Sequence, residues 1–172
     1  MQGEKIEQLF RDHAAEVLAY ALRRTDQATA EDLVSEVFGV AWRRWDRIPD
    51  EEPVLWLYGV ARRLLANERR AARRRTALTD ALAGLARHGR AEGPDVGAGV
   101  LDALGRLPRK DREILLLTAW EDLDLRQAGS VLGCSAGAAG TRLHRARARL
   151  QGELERDREA ARATGIVEVR SS

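Results

Sequence analysis

The sequence predicts an all-α protein made of two small helical domains joined by a flexible linker. Apolar residues recur at steps of three and four over most of the chain, which is the period of a helix. The chain has only four prolines and no clustered run of β-branched residues, so strands are not expected. Five glycines between residues 76 and 99 interrupt the apolar pattern and divide the chain into two parts.

Three helices are predicted in the N-terminal part, over residues 4–24, 29–47 and 55–75. Thr29 is the predicted N-cap of the second helix, with Asp32 three residues later in the capping-box position. Pro49 and Pro53 bracket three consecutive acids, a composition that a helix interior does not tolerate. Residues 48–54 are therefore predicted to form a loop.

A helix-turn-helix pattern occupies residues 123–150 in the C-terminal part. Gly133 can adopt the positive φ of a tight turn, and Ser135 is the predicted N-cap of the second helix. The outer face of that helix carries Thr141, Arg142, His144, Arg145, Arg147 and Arg149. This arrangement is typical of motifs that lay the second helix in the major groove of DNA. An ordinary helical hairpin with solvated arginines is the alternative.

The predicted domain boundaries follow from these segments. They are a first domain at 1–75, a linker at 76–99, a second domain at 100–155 and a tail at 156–172. Because Leu154 ends the apolar pattern, the charged tail is expected to fray.

Charge is segregated along the chain although the formal net charge is only +2. Acids dominate residues 26–52, and arginines dominate residues 62–75. Oppositely charged segments of this kind indicate two different partners.

Groups for catalysis or metal binding are not assembled in the sequence. His13, His88 and His144 are far apart, and no acids combine with His or Cys at metal-ligand spacing. Cys134 is interpreted as a small packing residue. We therefore expect a protein that is not an enzyme and has no metal or cofactor. Since neither a signal sequence nor a long apolar run is present, we also expect a cytoplasmic protein without membrane insertion.

Aromatic and basic residues are interleaved around the end of the second helix and in the third. Trp42 and Trp45 precede Trp56 and Asn67, and the arginine-rich segment follows. Rings beside arginines can stack unpaired bases while phosphates are neutralised. For Trp42 and Trp45, packing in the core is the alternative.

Five stretches, in order, resemble one known family. They are LFRDHAAEVLAYALRR, AEDLVSEVFGVAWRRWD, VLWLYGVARRLLANERRAARRR, LGRLPRKDREILLLTAWEDL and LGCSAGAAGTRLHRARARL. Together they resemble an extracytoplasmic-function (group IV) sigma factor of the sigma-70 family. The resemblance implies an alternative sigma factor that binds the bacterial RNA polymerase core and directs initiation at promoter DNA, with an anti-sigma factor as a further candidate partner.

The resemblance also implies roles for particular positions. Polymerase docking is expected at Asp32, Leu33, Glu36 and Phe38. Reading of the −10 element and strand melting are expected at Trp42, Arg43, Arg44, Trp45, Trp56, Arg62, Arg63, Asn67, Arg69 and Arg70. Reading of the −35 element is expected at Ser135, Thr141, Arg142, His144, Arg145 and Arg147.

Three positions depart from the family pattern. Gly140 stands where a long side chain is usual, Gly129 where alanine is usual, and Arg63 where asparagine is common. Because glycine costs a helix about 1 kcal/mol relative to alanine, both glycines are expected to loosen the motif. The alternative function is a free-standing helix-turn-helix regulator, which would leave the acidic helix and the tryptophan–arginine segment unexplained.

Overall fold

The computed structural model describes residues 2–80 and 98–169, with side chains described for 3–73 and 99–163. The chain divides into two units, Met1–Gly93 and Pro94–Ser172. Within the described residues there are seven α-helices, one 3-10 turn and no strand. The predicted all-α class with two helical domains is therefore confirmed. Most of the predicted linker, residues 81–97, lies outside the described residues.

The first unit is built from three long helices. They are α1 (Gln2–Leu22), α2 (Gln27–Arg43) and α3 (Pro53–Asp80), with a 3-10 turn at Trp45–Arg47. Each helix packs against the other two. The buried side chains include Val17, Tyr20, Leu33, Val37, Ala41, Leu57, Ala61 and Leu65. The rings of Tyr20 and Tyr58 stack with their centroids 4.7 Å apart, which joins α1 to α3.

The start of α2 differs from the prediction, because Asp26 and not Thr29 is the N-cap. The Asp26 carboxylate accepts hydrogen bonds from the Thr29 backbone N–H at 3.0 Å and from the Thr29 hydroxyl at 2.9 Å. The backbone hydrogen bond from Thr29 holds the pKa of Asp26 below its usual value. Thr29 therefore lies in the first turn of α2, and its backbone N–H is the donor that the Asp26 cap satisfies.

The boundaries of α3 extend beyond the predicted 55–75 at both ends. Pro53 begins the helix, a position where its missing N–H costs nothing because first-turn N–H groups have no helical partner. At the other end, the helix continues through residues 76–80, which were predicted as the start of the linker.

The second unit packs three short helices against one long helix. They are α4 (Ala98–Arg106), α5 (Arg109–Ala119), α6 (Leu125–Leu132) and α7 (Ala136–Val169). Each of the three short helices contacts α7. Side chains buried between them include Leu104, Leu107, Ile114, Leu117, Val131, Ala139, Leu143 and Ala146.

The turn between α6 and α7 confirms two sequence predictions and contradicts a third. Gly133 has a φ of +71°, and the Ser135 hydroxyl accepts a hydrogen bond from the Ala138 N–H at 3.2 Å. Gly129 is tightly packed: a Cβ there would lie 2.7 Å from the carbonyl oxygen of Cys134. The expected loosening at Gly129 is therefore wrong, since its missing side chain lets the turn fold back onto α6.

Helix α7 is much longer than predicted and reaches Val169, so the described part of the tail is helical. Arg106 of α4 holds this extension, since its guanidinium donates to Glu153 at 2.7 Å and to Asp157 at 2.6 Å. Arg106 lies 47 and 51 residues from these acids in the sequence, so the pairing was not apparent from the local pattern.

Alanine at two glycines of the second unit is expected to change stability in opposite directions. Gly152→Ala should raise the free energy of unfolding by about 0.5–1 kcal/mol, because nothing lies within 4 Å of the added methyl group. Gly133→Ala should lower it by about 1 kcal/mol, because the left-handed backbone disfavours a side chain. Urea denaturation followed by circular dichroism measures both, and shifts of the same sign would contradict this account.

Stability of the second unit is expected to fall in acid through Glu153. The hydrogen bond from Arg106 holds the pKa of Glu153 below its usual value. A carboxylate with a lowered folded pKa stabilises fully above its unfolded pKa of about 4.3. That contribution is lost as the pH falls through the folded value. Glu153→Gln should therefore lose less stability than the wild type between pH 5 and pH 3, whereas Glu159→Gln, at an exposed position, should follow the wild type.

Candidate functional site

A groove of about 420 Å³ lies between the end of α2, the 3-10 turn and α3. Its lining residues are Val40, Arg44, Arg47, Trp56, Val60, Arg63, Leu64 and Asn67. Four of these were predicted from the sequence to contact the −10 element or melted DNA: Arg44, Trp56, Arg63 and Asn67. The fold therefore brings together residues that are more than twenty positions apart.

Arg47 is a groove residue that the sequence analysis missed. It belongs to the 3-10 turn, where the Arg47 N–H donates to the Arg44 carbonyl at 2.9 Å. The spacing of Arg47 from the predicted residue Arg44 could have indicated it, because residues three apart in such a turn lie on the same side. The predicted continuous helix through residue 47 hides that relation, since α2 in fact ends at Arg43.

The polar side of the groove is strongly basic. Among the described residues, three arginines line it, Arg44, Arg47 and Arg63, and no acidic residue does. The Asn67 side-chain oxygen accepts a hydrogen bond from the Arg70 guanidinium, which fixes the amide. Arg70 thus holds the side chain of a residue that lines the groove.

The remaining aromatic and basic residues of the predicted set are distributed around the groove. The Trp42 side chain is 50% exposed, so the alternative of core packing does not describe it. Trp45 and Arg62 are partly buried, and Arg43 is exposed. Arg69 donates to the backbone carbonyl of Arg24 at 2.7 Å, so it ties α3 to the end of α1.

The predicted docking residues on α2 separate into two kinds. Asp32 and Glu36 are exposed, one turn apart on the same helix face. Leu33 and Phe38 are buried, and the Phe38 ring contacts the Phe10 ring edge-on with centroids 4.8 Å apart. Any partner of this surface meets the two carboxylates directly, whereas Leu33 and Phe38 support them from the core.

The basic residues of α7 lie opposite its buried face. Ala139, Leu143 and Ala146 face the core, whereas His144, Arg145 and Arg147 are exposed and Arg142 is partly buried. Thr141 is exposed and donates its hydroxyl hydrogen to the Gly137 carbonyl at 3.1 Å. All the predicted −35 residues therefore belong to α7 or to its N-cap, Ser135.

Gly140 lies close to α6. A Cβ at this position would lie 3.3 Å from Cδ1 of Leu125 on α6. A side chain at residue 140 would therefore begin in contact with α6.

Within residues 2–80 and 98–169, no group of three or more His, Cys, Asp or Glu side chains is placed to hold a metal ion. No helix in that part of the chain is both long enough and apolar enough to cross a membrane.

Comparison with known families gives two matches, one in each unit. Residues 9–75 match the family description Sigma-70 region 2, and residues 98–150 match Sigma-70, region 4. The groove and the exposed acids of α2 lie in the first match, and the helix-turn-helix lies in the second.

Individual proteins give the same indication. The RNA polymerase sigma-E factor of Streptomyces antibioticus is 41% identical over 56 residues, which is 33% of this chain. That match spans about a third of the relative's length, 31%. The sigma-E factor of Streptomyces coelicolor is 40% identical over 55 residues, again 31% of its length.

Solved structures share the fold over most of the chain. The sigma factor RpoE of Bartonella quintana, solved with the anti-sigma factor NepR, has a TM-score of 0.70 at 24% identity, covering 88% of this chain and 98% of that one. CnrH, solved with the cytosolic domain of CnrY, has a TM-score of 0.61 at 26% identity, covering 90% of both chains.

Proposed function

Because this chain belongs to the sigma-70 family, as an extracytoplasmic-function sigma factor, we propose that it is a dissociable specificity subunit of bacterial RNA polymerase. In this proposal it binds the core enzyme, reads the −10 element with its first unit and reads the −35 element with its second. It contributes no chemistry of its own, and catalysis belongs to the polymerase.

The observation that carries the proposal is the division of charge within the first unit. Exposed carboxylates at Asp32 and Glu36 suit a basic protein surface, so we assign them to core docking. The arginine-lined groove suits melted DNA, because Trp56 offers a ring for stacking and the guanidinium groups neutralise phosphates. A free-standing regulator has no use for the first unit, so this rival is disfavoured.

We assign −35 reading to the exposed face of α7. In a helix-turn-helix, the N-terminal residues of the second helix reach base edges in the major groove. Arg142 and Arg145 carry forks of donors that suit guanine, and Thr141 and His144 belong to the same stretch of helix. The Ser135 cap orients the helix by fixing its first turn.

We further propose an anti-sigma protein as a regulatory partner. The similar RpoE of Bartonella quintana was solved with such a factor, NepR. A partner that covers Asp32 and Glu36 would compete with core polymerase for the same charges. The experiment is a pull-down with this protein as bait in an extract of the native host. Adding excess core polymerase should then reduce the amount of the anti-sigma partner that is retained.

Run-off transcription tests the proposed function. Core polymerase is incubated with a pool of genomic promoter fragments from the native host, with and without this protein. We expect transcripts that depend on the protein and start downstream of a shared bipartite motif. If no transcript depends on it and it does not bind the core enzyme, the proposal is wrong and a free-standing regulator becomes the better account.

A further inference from the structure

We propose that Arg69 is a positioning residue for DNA binding by the first unit. It holds the groove-lining part of α3 against α1 and does not itself contact DNA, although the family resemblance grouped it with the DNA-reading residues of α3. The proposal rests on the proposed function, because it concerns how firmly the groove binds DNA.

Helix α3 has two faces with different surroundings. Trp56, Arg63 and Asn67 are spaced by seven and four residues, so they share the face that lines the groove. Tyr58 and Arg69 are about three turns apart, so they share another face. Arg63 and Asn67 are exposed, whereas Arg69 is partly buried and Tyr58 is buried. Arg69 therefore does not belong to the groove face of α3.

The Arg69 guanidinium binds the chain at the end of α1. Its Nη2 donates to the Arg24 carbonyl oxygen at 2.7 Å. This carbonyl lies two residues beyond Leu22, the last residue of α1, and a helix carries partial negative charge at this end. A hydrogen bond with a charged donor is stronger than one between neutral groups. The contact therefore restrains α3 against the end of α1.

The segment that accepts this bond is itself held by aromatic contacts. Nη1 of Arg24 donates to the Tyr20 carbonyl at 2.8 Å, and Cζ of Arg24 lies 3.5 Å from the centroid of the Tyr20 ring. The Tyr20 ring stacks in turn on Tyr58 of α3, and both rings are buried. Cation–π and stacked-ring contacts each favour a defined geometry. The stretch from Tyr20 to Arg24 is thus fixed to α3 at two places, Tyr58 and Arg69.

The brace at Arg69 adjoins the groove residues along α3. Arg69 follows Asn67 by two residues, and the next residue, Arg70, donates to the Asn67 side chain. A binding site keeps its geometry only when neighbouring packing and hydrogen bonds hold its residues in place. Releasing Arg69 from α1 should therefore let this turn of α3 shift relative to α2, which forms the other side of the groove. DNA should then bind more weakly, with no loss of phosphate contacts.

The salt dependence of binding separates a positioning residue from a phosphate contact. Binding of the full chain to fluorescein-labelled single-stranded oligothymidylate is measured by fluorescence anisotropy at several salt concentrations. Arg69→Met keeps the aliphatic stem and removes the donors. It should bind about 5-fold more weakly, the effect of roughly one net hydrogen bond, with an unchanged slope of log K against log salt. Arg63→Ala, in the groove, should reduce the steepness of that slope by about 0.7, one single-strand phosphate contact.

Three further variants distinguish positioning from stability alone. Arg69→Lys keeps a donor for the Arg24 carbonyl and should restore most of the affinity. Arg24→Met loosens the same brace from the α1 side, and it should weaken binding without changing the slope. Arg11→Ala removes a charge from an exposed position on α1 and should leave both affinity and slope near wild type. Circular dichroism at the working temperature checks that each variant is folded.

A double-mutant cycle tests whether Arg69 acts through Asn67. In an Asn67→Ala background, Arg69→Met should weaken binding less than it does in the wild type, because the residue it positions is already gone. Additive effects of the two changes would contradict the proposal.

The proposal is overturned if Arg69→Met changes the slope as Arg63→Ala does, since Arg69 would then be a phosphate contact. It is also overturned if a folded Arg69→Met binds like the wild type, or if the wild-type chain does not bind the probe. Failure of the proposed function has a different signature, the absence of protein-dependent run-off transcription. Transcription that depends on the protein would still identify a sigma factor in which Arg69 contacts DNA or only stabilises the fold.

Discussion

Replacing both Asp32 and Glu36 with arginine is expected to reduce protein-dependent run-off transcription by at least roughly 100-fold. The two carboxylates are exposed on one face of α2, so the substitutions do not enter the core. A basic partner would then face two positive charges instead of two negative ones, and like charges across an interface cost several kcal/mol. Transcripts should be measured at a protein concentration that gives half-maximal wild-type activity.

A matched control has the same change of charge on another exposed helix face. Glu155 and Glu159 are also one turn apart and exposed, on α7. Glu155→Arg with Glu159→Arg should keep transcription within a few-fold of wild type. Anisotropy with a single-stranded DNA probe should show that the Asp32 and Glu36 double variant still binds DNA. If that variant transcribes like the wild type, the docking surface lies elsewhere.

Features set by local chemistry were predictable from the sequence. The positive φ of Gly133 and the cap at Ser135 depend on the residue itself and on the next three positions, and both are confirmed. The N-cap of α2 was ambiguous locally, because Asp26 and Thr29 are both good capping residues. The carboxylate of Asp26 reaches the Thr29 N–H, so the helix begins one turn earlier than predicted.

Features set by contacts between distant residues were not predictable. Arg69 looked like one more member of a basic run, but it donates to the carbonyl of Arg24, 45 residues away. The charged end of α7 looked like a fraying tail, but Arg106 pairs with its acids from α4. In both cases, the composition gave the charge of a side chain and could not give its partner.

The candidate site also has features that the sequence predicted and features that only the fold reveals. Segregation of acids and arginines along the chain predicted two surfaces, and the first unit has both. The roles transferred by position did not distinguish exposed from buried residues, so Leu33 and Phe38 were grouped with Asp32 and Glu36 although they belong to the core. The groove itself required the packing of α2 on α3, and with it the unpredicted Arg47.

Arg149→Ala is expected to lower the free energy of unfolding of the second unit by about 2 kcal/mol. Arg149 donates to Asp111, whose side chain is only 9% exposed. Removing the arginine leaves a nearly buried carboxylate without this partner, which costs about 3–5 kcal/mol for a fully buried pair. The Arg149 side chain is 55% exposed, so solvent already screens part of this interaction. The expected loss is therefore about 2 kcal/mol, below the range for a fully buried pair. Hydrogen exchange in α5 and α7, measured by mass spectrometry, reports the change.

Arg147 is the matched control, two residues earlier on the same helix and exposed to solvent. Arg147→Ala should leave stability within about 0.5 kcal/mol of wild type, as is usual for a surface position. If it contacts DNA as proposed, the same change should reduce the salt dependence of promoter binding by about one phosphate contact. Arg149→Ala should have the opposite profile, with lower stability and an unchanged salt slope. Equal protection of α5 and α7 in Arg149→Ala and the wild type would show that the pair with Asp111 does not hold the helix-turn-helix together, and Arg149 would then join the DNA-facing arginines.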